Sequence, residues 1–193
     1  MVCVRSVESS MREVVFETDR LELCVPCIED VDVLASYWAD RETMKYLGKN
    51  GDVWSREQVV ERIERGARSC IEHGMTFWTV VEKETGTVIG QGGLVPIKFN
   101  GDEVELGYRF GKAHWGKGYA TELAKASAAY GFEKLGLDRL IAVCYPGNTG
   151  SRRVLKKAGF DELGESSLYY EKTLILFEMN KPVNEPVTKA EGN

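Results

Sequence analysis

No stretch of this sequence approaches the ~18 consecutive apolar residues of a membrane-spanning helix, and the opening MVCVRSVESSMREVVF lacks the apolar middle of a secretory signal. A cytosolic chain without membrane contact is expected. Basic residues are in deficit, 25 Lys and Arg against 30 Asp and Glu, for a net charge of −5. That argues against a general nucleic-acid or anionic-membrane binder and makes a cationic substrate such as an amine electrostatically welcome. The five cysteines are an odd number in a chain long enough to fold without staples, so reduced thiols are expected rather than a disulfide framework. His73 and His114 are the two histidines, and their spacing from Cys24 and Cys27 fits no zinc finger. There is no internal repeat and no low-complexity linker.

What is present is enough for one sizeable core: 193 residues, 43% of them hydrophobic. The reading is a single domain over residues 14–180 between flexible tails, 1–13 and 181–193. Leu21, Leu23 and Val25 alternate inward like a half-buried strand, and Glu29 and Asp30 open an acidic first turn of a helix carrying Val33, Leu34, Tyr37 and Trp38. Ser55 and Gln58 have capping-box spacing, after which Val59, Val60, Ile63, Ala67, Cys70 and Ile71 follow a helical period toward Gly74. From Thr76 the period changes to two. FWTVVEK, a turn at Glu84-Thr-Gly86, TVIGQGGLVPIKF, the hairpin dipeptide Asn100-Gly101 and EVELGYRF predict three antiparallel strands. Gly90, Gly92 and Gly93 in the middle one suggest a bulge or a close backbone approach. An alanine-rich helix from about Gly118 to Leu135 follows, stopped by Gly136. Then come the strand RLIAVCY, a helix N-capped by Asn148 and ended by Gly159, and two further strands, FDELGESS and TLILFEM. The class is α+β.

The densest chemical signal runs from Tyr108 to Glu122, where a strand passes through a glycine-rich turn directly into a helix. Such a turn aims backbone N–H groups and the helix dipole at one spot, which suits a phosphate or pyrophosphate. Gly111 to Lys117 also matches G-x-x-x-x-G-K, but Gly118 stands where a nucleotide triphosphatase needs Ser or Thr for magnesium. Such an enzyme also calls for a mainly parallel sheet, against the meander read here. Cys24-Val-Pro-Cys27 is a C-x-x-C pair at a strand-to-helix junction, the setting of a thiol redox site, although the acidic helix start beside it would raise a thiol pKa.

Trp115-Gly-Lys-Gly118-Tyr-Ala120-Thr-Glu, after the strand Glu105-Leu-Gly-Tyr108, resembles the acetyl-CoA signature of the GNAT N-acetyltransferases. It is most similar to the branch that includes the ribosomal-protein N-terminal acetyltransferases. Gly118 and Ala120 fit the family's Gln/Arg-x-x-Gly-x-Gly/Ala, with Trp115 in place of Gln/Arg, as is typical of that branch. Asn148-Thr-Gly-Ser151, on a helix ending in Gly159-Phe160, resembles the family's second motif. The likeness covers about Thr18 to Met179 and implies the acyl-CoA N-acyltransferase fold, a mixed, mostly antiparallel sheet flanked by helices and splayed between its fourth and fifth strands.

The resemblance implies a cofactor wedge between residues 105–110 and 140–145, drawing on Tyr108, Arg109 and Phe110. It implies a pyrophosphate held by the backbone of Trp115, Gly116, Lys117, Gly118, Tyr119 and Ala120, and pantetheine held with help from Asn148. Transfer would be direct from CoA sulfur to amine, so no nucleophilic cysteine and no metal are implied. Glu105 is the candidate base or amine anchor, and Ser151 the candidate hydroxyl for the departing thiolate. Many members place a tyrosine acid where this chain has Leu155, which leaves Tyr145 as a fallback. Trp54 or Tyr46 would wall the acceptor pocket. The expected acceptor is a primary amine, a protein or peptide N-terminus by branch resemblance, with a small amine or amino-acid derivative as the alternative, and the protein a monomer or homodimer. A non-catalytic acyl-CoA-binding module and a thiol redox protein are the other classes.

Overall fold

The computed structural model describes residues 12–47, 51–97 and 103–182. In chain order its elements are strands β1 (Val14–Glu17) and β2 (Leu21–Cys24) and helices α1 (Val31–Trp38), α2 (Arg41–Met44) and α3 (Arg56–His73). Strands β3 (Phe77–Glu82), β4 (Thr87–Ile97) and β5 (Glu103–Phe110) follow, then helix α4 (Tyr119–Glu133), strand β6 (Arg139–Cys144) and helix α5 (Thr149–Ala158). Strands β7 (Asp161–Ser166) and β8 (Leu174–Asn180) are the last of the helices and strands among the described residues. No helix among the described residues is long and apolar enough to cross a membrane.

The strands form one sheet in the order β1-β2-β3-β4-β5-β6-β8-β7, antiparallel at every step except β5 to β6. This is the mixed α+β sheet expected, with one strand more. The edge strand β1 is four residues long, pairs Phe16 with Leu23, and leaves Val14 exposed, too short a segment to show a period. It moves the parallel, splayed step to between the fifth and sixth strands without changing the segments involved. The Asn100-Gly101 turn lies outside the described residues. The strands it joins do pair antiparallel, from Gly90 opposite Phe110 to Ile97 opposite Glu103.

Both faces of the sheet are covered. Leu21, Leu23, Trp78, Val80 and Ile89 pack with Leu123 and Ala124 of α4 on one side. Cys24, Val81 and Val88 pack with Leu34 and Trp38 of α1 and Val59 and Ile63 of α3 on the other. Covering both faces explains why β2 does not alternate as read: Cys24 is fully buried while Val25 is only partly so. The α3 capping box forms as expected, Ser55 Oγ accepting from Gln58 N (3.3 Å) and Gln58 Oε1 from Ser55 N (2.9 Å). Ile71, counted on the buried face of α3, is instead 83% exposed. At 100° per residue it lies about 80° around the helix from Ile63, whereas Cys70 lies within about 20° of it and packs on the core.

The middle strand β4 shifts register against β3 between Val80 and Val81, opposite Gly90 and Val88, so the expected bulge is present. A side chain at position 90 would place its Cβ 2.3 Å from the Arg109 carbonyl oxygen, which lets β5 lie unusually close there. Helix α5 is N-capped by Asn148, whose Oδ1 accepts from Ser151 N at 3.1 Å, and closes at Gly159 with φ +104. The Asn148 N–H donates to the Tyr145 carbonyl at 2.8 Å, which holds the Asn148–Ser151 turn at the end of β6.

Candidate active site

The parallel strands β5 and β6 share a single ladder position, Glu105 opposite Ile141. Beyond it, β5 stays paired with β4 as far as Phe110 and β6 with β8 as far as Cys144, so the two facing edges diverge with no strand between them. Open backbone edges of this kind can take an extended ligand as though it were another strand. The fork opens into a cavity of about 1350 Å³ lined by Glu105, Tyr108, Arg109, Phe110, Trp115, Gly116, Gly118, Tyr119, Ala120, Asn148 and Ser151, among others.

At its wide end stands the glycine loop. Gly116 (φ +76) and Gly118 (φ +86) occupy the left-handed region, and Gly118 is the N-cap of α4. Among the described residues none accepts from the N–H groups of Gly116, Lys117 or Gly118, so these donors and the positive end of the helix dipole are available to an anion. Trp115 is half exposed, and its indole N–H donates to the Phe110 carbonyl at 2.8 Å, tying the loop to the end of β5. The Lys117 ammonium lies 5.9 Å from the Tyr119 ring centroid, outside the cleft lining, and the Tyr119 hydroxyl donates to Glu82. What Lys117 contributes structurally is its carbonyl, which accepts from Arg20 Nη1 at 3.0 Å. Arg20 also pairs with Glu122 at 2.6 Å and stacks 4.7 Å from the Tyr119 ring centroid. It buttresses the loop across about a hundred residues of sequence, and no local pattern announces it.

At the narrow end, Glu105 is 8% exposed. Burial raises its carboxyl from 4.5 to about 7, against the opposing effect of a hydrogen bond donated by the Tyr170 hydroxyl. Tyr170 and Glu171 both have positive φ (58° and 53°), the backbone arrangement by which the β7–β8 connection reaches over the cleft. The Ser151 hydroxyl lies 3.0 Å from that of Tyr108, whose own pKa is driven up by burial. Asn148 spends its carbonyl oxygen on the cap, so its amide N–H₂ is the group left for a ligand. The fallback acid Tyr145 accepts a hydrogen bond from Lys172, and Leu155 is buried.

Residues 20–161 match the family model for the acetyltransferase (GNAT) domain. The chain belongs to the GNAT acetyltransferases. It is 35% identical over 149 residues to the uncharacterized N-acetyltransferase p20 of Bacillus licheniformis, covering 76% of this chain and 82% of that protein. In fold it is similar to the ribosomal-protein-S5-alanine acetyltransferase of Vibrio fischeri, with TM-score 0.72, 21% identity, and coverage of 89% of this chain and 98% of that one. It is equally similar to RimL, a ribosomal L7/L12 alpha-N-protein acetyltransferase solved in complex with coenzyme A, with TM-score 0.72, 14% identity, and coverage of 87% and 98%.

In this GNAT enzyme the expected site residues other than Lys117 line one cleft. Lys117 turns away, as described. Arg109 belongs to the cleft, but its side chain lies on the opposite face of β5 from α4, against Trp38, Trp54 and Phe77. Tyr46 and Trp54 do line the cleft, and the Tyr46 hydroxyl donates to the Gly147 carbonyl at 3.1 Å. Cys24 and Cys27 are unbridged thiols, pushed up to about 11 and about 12, chiefly by burial and, for Cys27, by its hydrogen bond to Asp30. Thiols held protonated in this way are poor redox nucleophiles.

One consequence concerns Tyr170, which sequence reasoning passed over. Its hydroxyl stabilises the charged form of Glu105, so Tyr170→Phe is expected to move the acidic limb of the kcat/KM profile upward by about one pH unit, while most of the high-pH rate is retained. A pH–rate series on the two proteins tests this; an unmoved limb would detach Tyr170 from the titrating group.

Proposed function

We propose that the protein, as a single domain over residues 14–180, is an acetyl-CoA-dependent N-acetyltransferase that moves acetyl directly from CoA sulfur to the primary α-amine of a peptide or protein N-terminus. The observation that carries this reading is the fork itself: a buried carboxyl at the point where β5 and β6 part, and a glycine loop with unengaged N–H groups at its open end. The unengaged N–H groups of Gly116 to Gly118 would hold the pyrophosphate, and the open β5 and β6 edges, with the Asn148 amide, the pantetheine. Acetyl-CoA would thereby present its thioester between Glu105 and Ser151.

At pH 7 an α-amine near pKa ~8 is about one-tenth neutral, whereas a lysine near ~10.4 is far below that, so the α-amine needs only a mild base. Glu105, titrating at about 7, takes the ammonium proton. The neutral amine nitrogen then attacks the thioester carbonyl carbon, and as the C–S bond breaks the departing CoA sulfur, its developing charge stabilised by hydrogen bonds from the Ser151 and Tyr108 hydroxyls, takes up the proton that the nitrogen loses, leaving the amide and CoA thiol. Holding amine and thioester together supplies several kcal/mol more, up to ~7–11 in ideal cases.

Calorimetric titration with acetyl-CoA, CoA and ATP tests the reading: acetyl-CoA and CoA should bind and ATP should not. Absence of acetyl-CoA binding would remove the proposal at its root. Ser151→Ala should lower kcat about tenfold to a hundredfold with little change in acetyl-CoA affinity, since the lost hydrogen bond strengthens only as charge develops on sulfur. An undiminished kcat would leave the serine as a helix-turn residue.

A further inference from the structure

Arg109 is a cation with nowhere obvious to put its charge. Its side chain is partly buried in the wall of the cleft, yet among the described residues it forms no ion pair; its one polar partner there is the neutral Gln91, Nη2 to Oε1 at 3.1 Å, and its Nε is buried without a hydrogen-bond partner. Three aromatic faces surround the guanidinium, with centroids at 5.2 Å (Trp38), 4.6 Å (Trp54) and 5.3 Å (Phe77). Cation–π contact offsets part of the desolvation cost but leaves most of the planar donor fork unfilled beyond the one bond to Gln91. The charge is reinforced, since Arg62 lies 3.7 Å from the Trp54 ring centroid in the same cleft and, with Arg65, disfavours further positive charge at Arg109. In a protein of net charge −5, this is a locally cationic corner of the cleft, walled by aromatic rings, that an anion would complete.

The corner sits on the acceptor side of the cleft. Residues 105, 107 and 109 share one face of β5, so Glu105 and Arg109 project to the same side with backbones about 13 Å apart. We propose that Arg109 is an anion-recognition residue for the acceptor, which must carry a carboxylate a few residues beyond the amine that Glu105 receives. A free amino acid, with amine and carboxylate only about 3 Å apart, is too short to touch both. A peptide N-terminus with an acidic side chain in its first three or four residues spans the distance. This rests on the acetyltransferase reading and narrows it from amines in general to amines on acidic peptides.

The experiment uses the whole protein saturated with CoA, titrated calorimetrically with three probes: Ser-Ala-Glu-Ala amide, Ser-Ala-Gln-Ala amide and Ser-Ala-Gln-Ala with a free C-terminal carboxylate. The acidic peptide should bind at least tenfold more tightly than its Gln counterpart, and the third probe tells whether a terminal carboxylate serves as well as a side chain. In Arg109→Met the Glu-over-Gln preference should collapse toward unity; replacing a buried charge with an apolar residue of similar length need not harm folding. Equal affinities for all three probes, or no binding of any peptide with a carboxylate, overturns the proposal on the native protein alone, whatever the variant does. CoA titration of each protein reports the cofactor site separately, so failure of the acetyltransferase reading shows as lost CoA binding rather than lost discrimination.

Discussion

Glu105→Gln is expected to lower kcat by about 10²- to 10⁴-fold and to erase the acidic limb of the pH–rate profile. In the native protein the carboxyl titrates at about 7 and must be ionised to accept a proton, so activity falls as pH drops through about 7. Gln has the same shape, keeps a hydrogen-bond acceptor for Tyr170, and has no basic form. The same change should make the protein more stable at alkaline pH. Folding raises this carboxyl from 4.5 to about 7, so folding favours its protonated form. The associated stability is complete below about 4.5 and is lost as pH rises through about 7. Charged Glu105 therefore costs the native state up to about 3 kcal/mol at pH 8. Thermal melts of the two proteins at pH 5 and pH 8 should show the variant gaining only at the higher pH. Unchanged turnover would return Glu105 to a purely structural role, and a pH-independent difference in melting would show that its burial is not opposed by its charge.

That coupling of cost and function marks the part of the site that the sequence carried only weakly. The glycine loop was legible because it is local: Gly116 and Gly118 need positive φ, and they sit between a strand and a helix whose own patterns are strong. The Asn148 cap and the Gly159 stop were legible for the same reason. Arg20, Tyr170 and the orientation of Arg109 were not. Arg20 reaches Lys117 and Glu122 across 97 and 102 residues. Tyr170 reaches Glu105 across 65 from a connection with no regular period. Whether Arg109 faces the cofactor or the acceptor depends on which face of β5 is covered by α4 and which by α1 and α3, a property of the assembled layers. The edge strand β1 escaped because four residues cannot display a period, and Ile71 misled because a helical pattern extended by eight residues drifts off its buried face.

Gly118→Asp is expected to weaken acetyl-CoA binding by about a hundredfold or more while leaving a folded protein. Two effects combine at this position. With φ at +86 the backbone is in the region that disfavours a side chain, at about 1–2 kcal/mol. The added carboxylate would also stand at the N-terminus of α4, where the bound pyrophosphate would carry its own negative charge. Two like charges a few ångströms apart near a protein surface repel by up to about 4 kcal/mol. A Cβ at position 118 would lie 3.4 Å from an Arg20 guanidinium nitrogen, so the new carboxylate can also draw Arg20 away from Glu122 and from the Lys117 carbonyl. Gly118→Asn separates these causes, because Asn tolerates positive φ and carries no charge. If repulsion dominates, Asn should retain most of the affinity and Asp almost none, and the Asp defect should shrink at high salt as exposed charges are screened. If both variants lose affinity equally, backbone geometry at the loop is what holds the ligand. A folded Asp variant that binds acetyl-CoA as the native protein does would place the pyrophosphate somewhere other than residues 115–120.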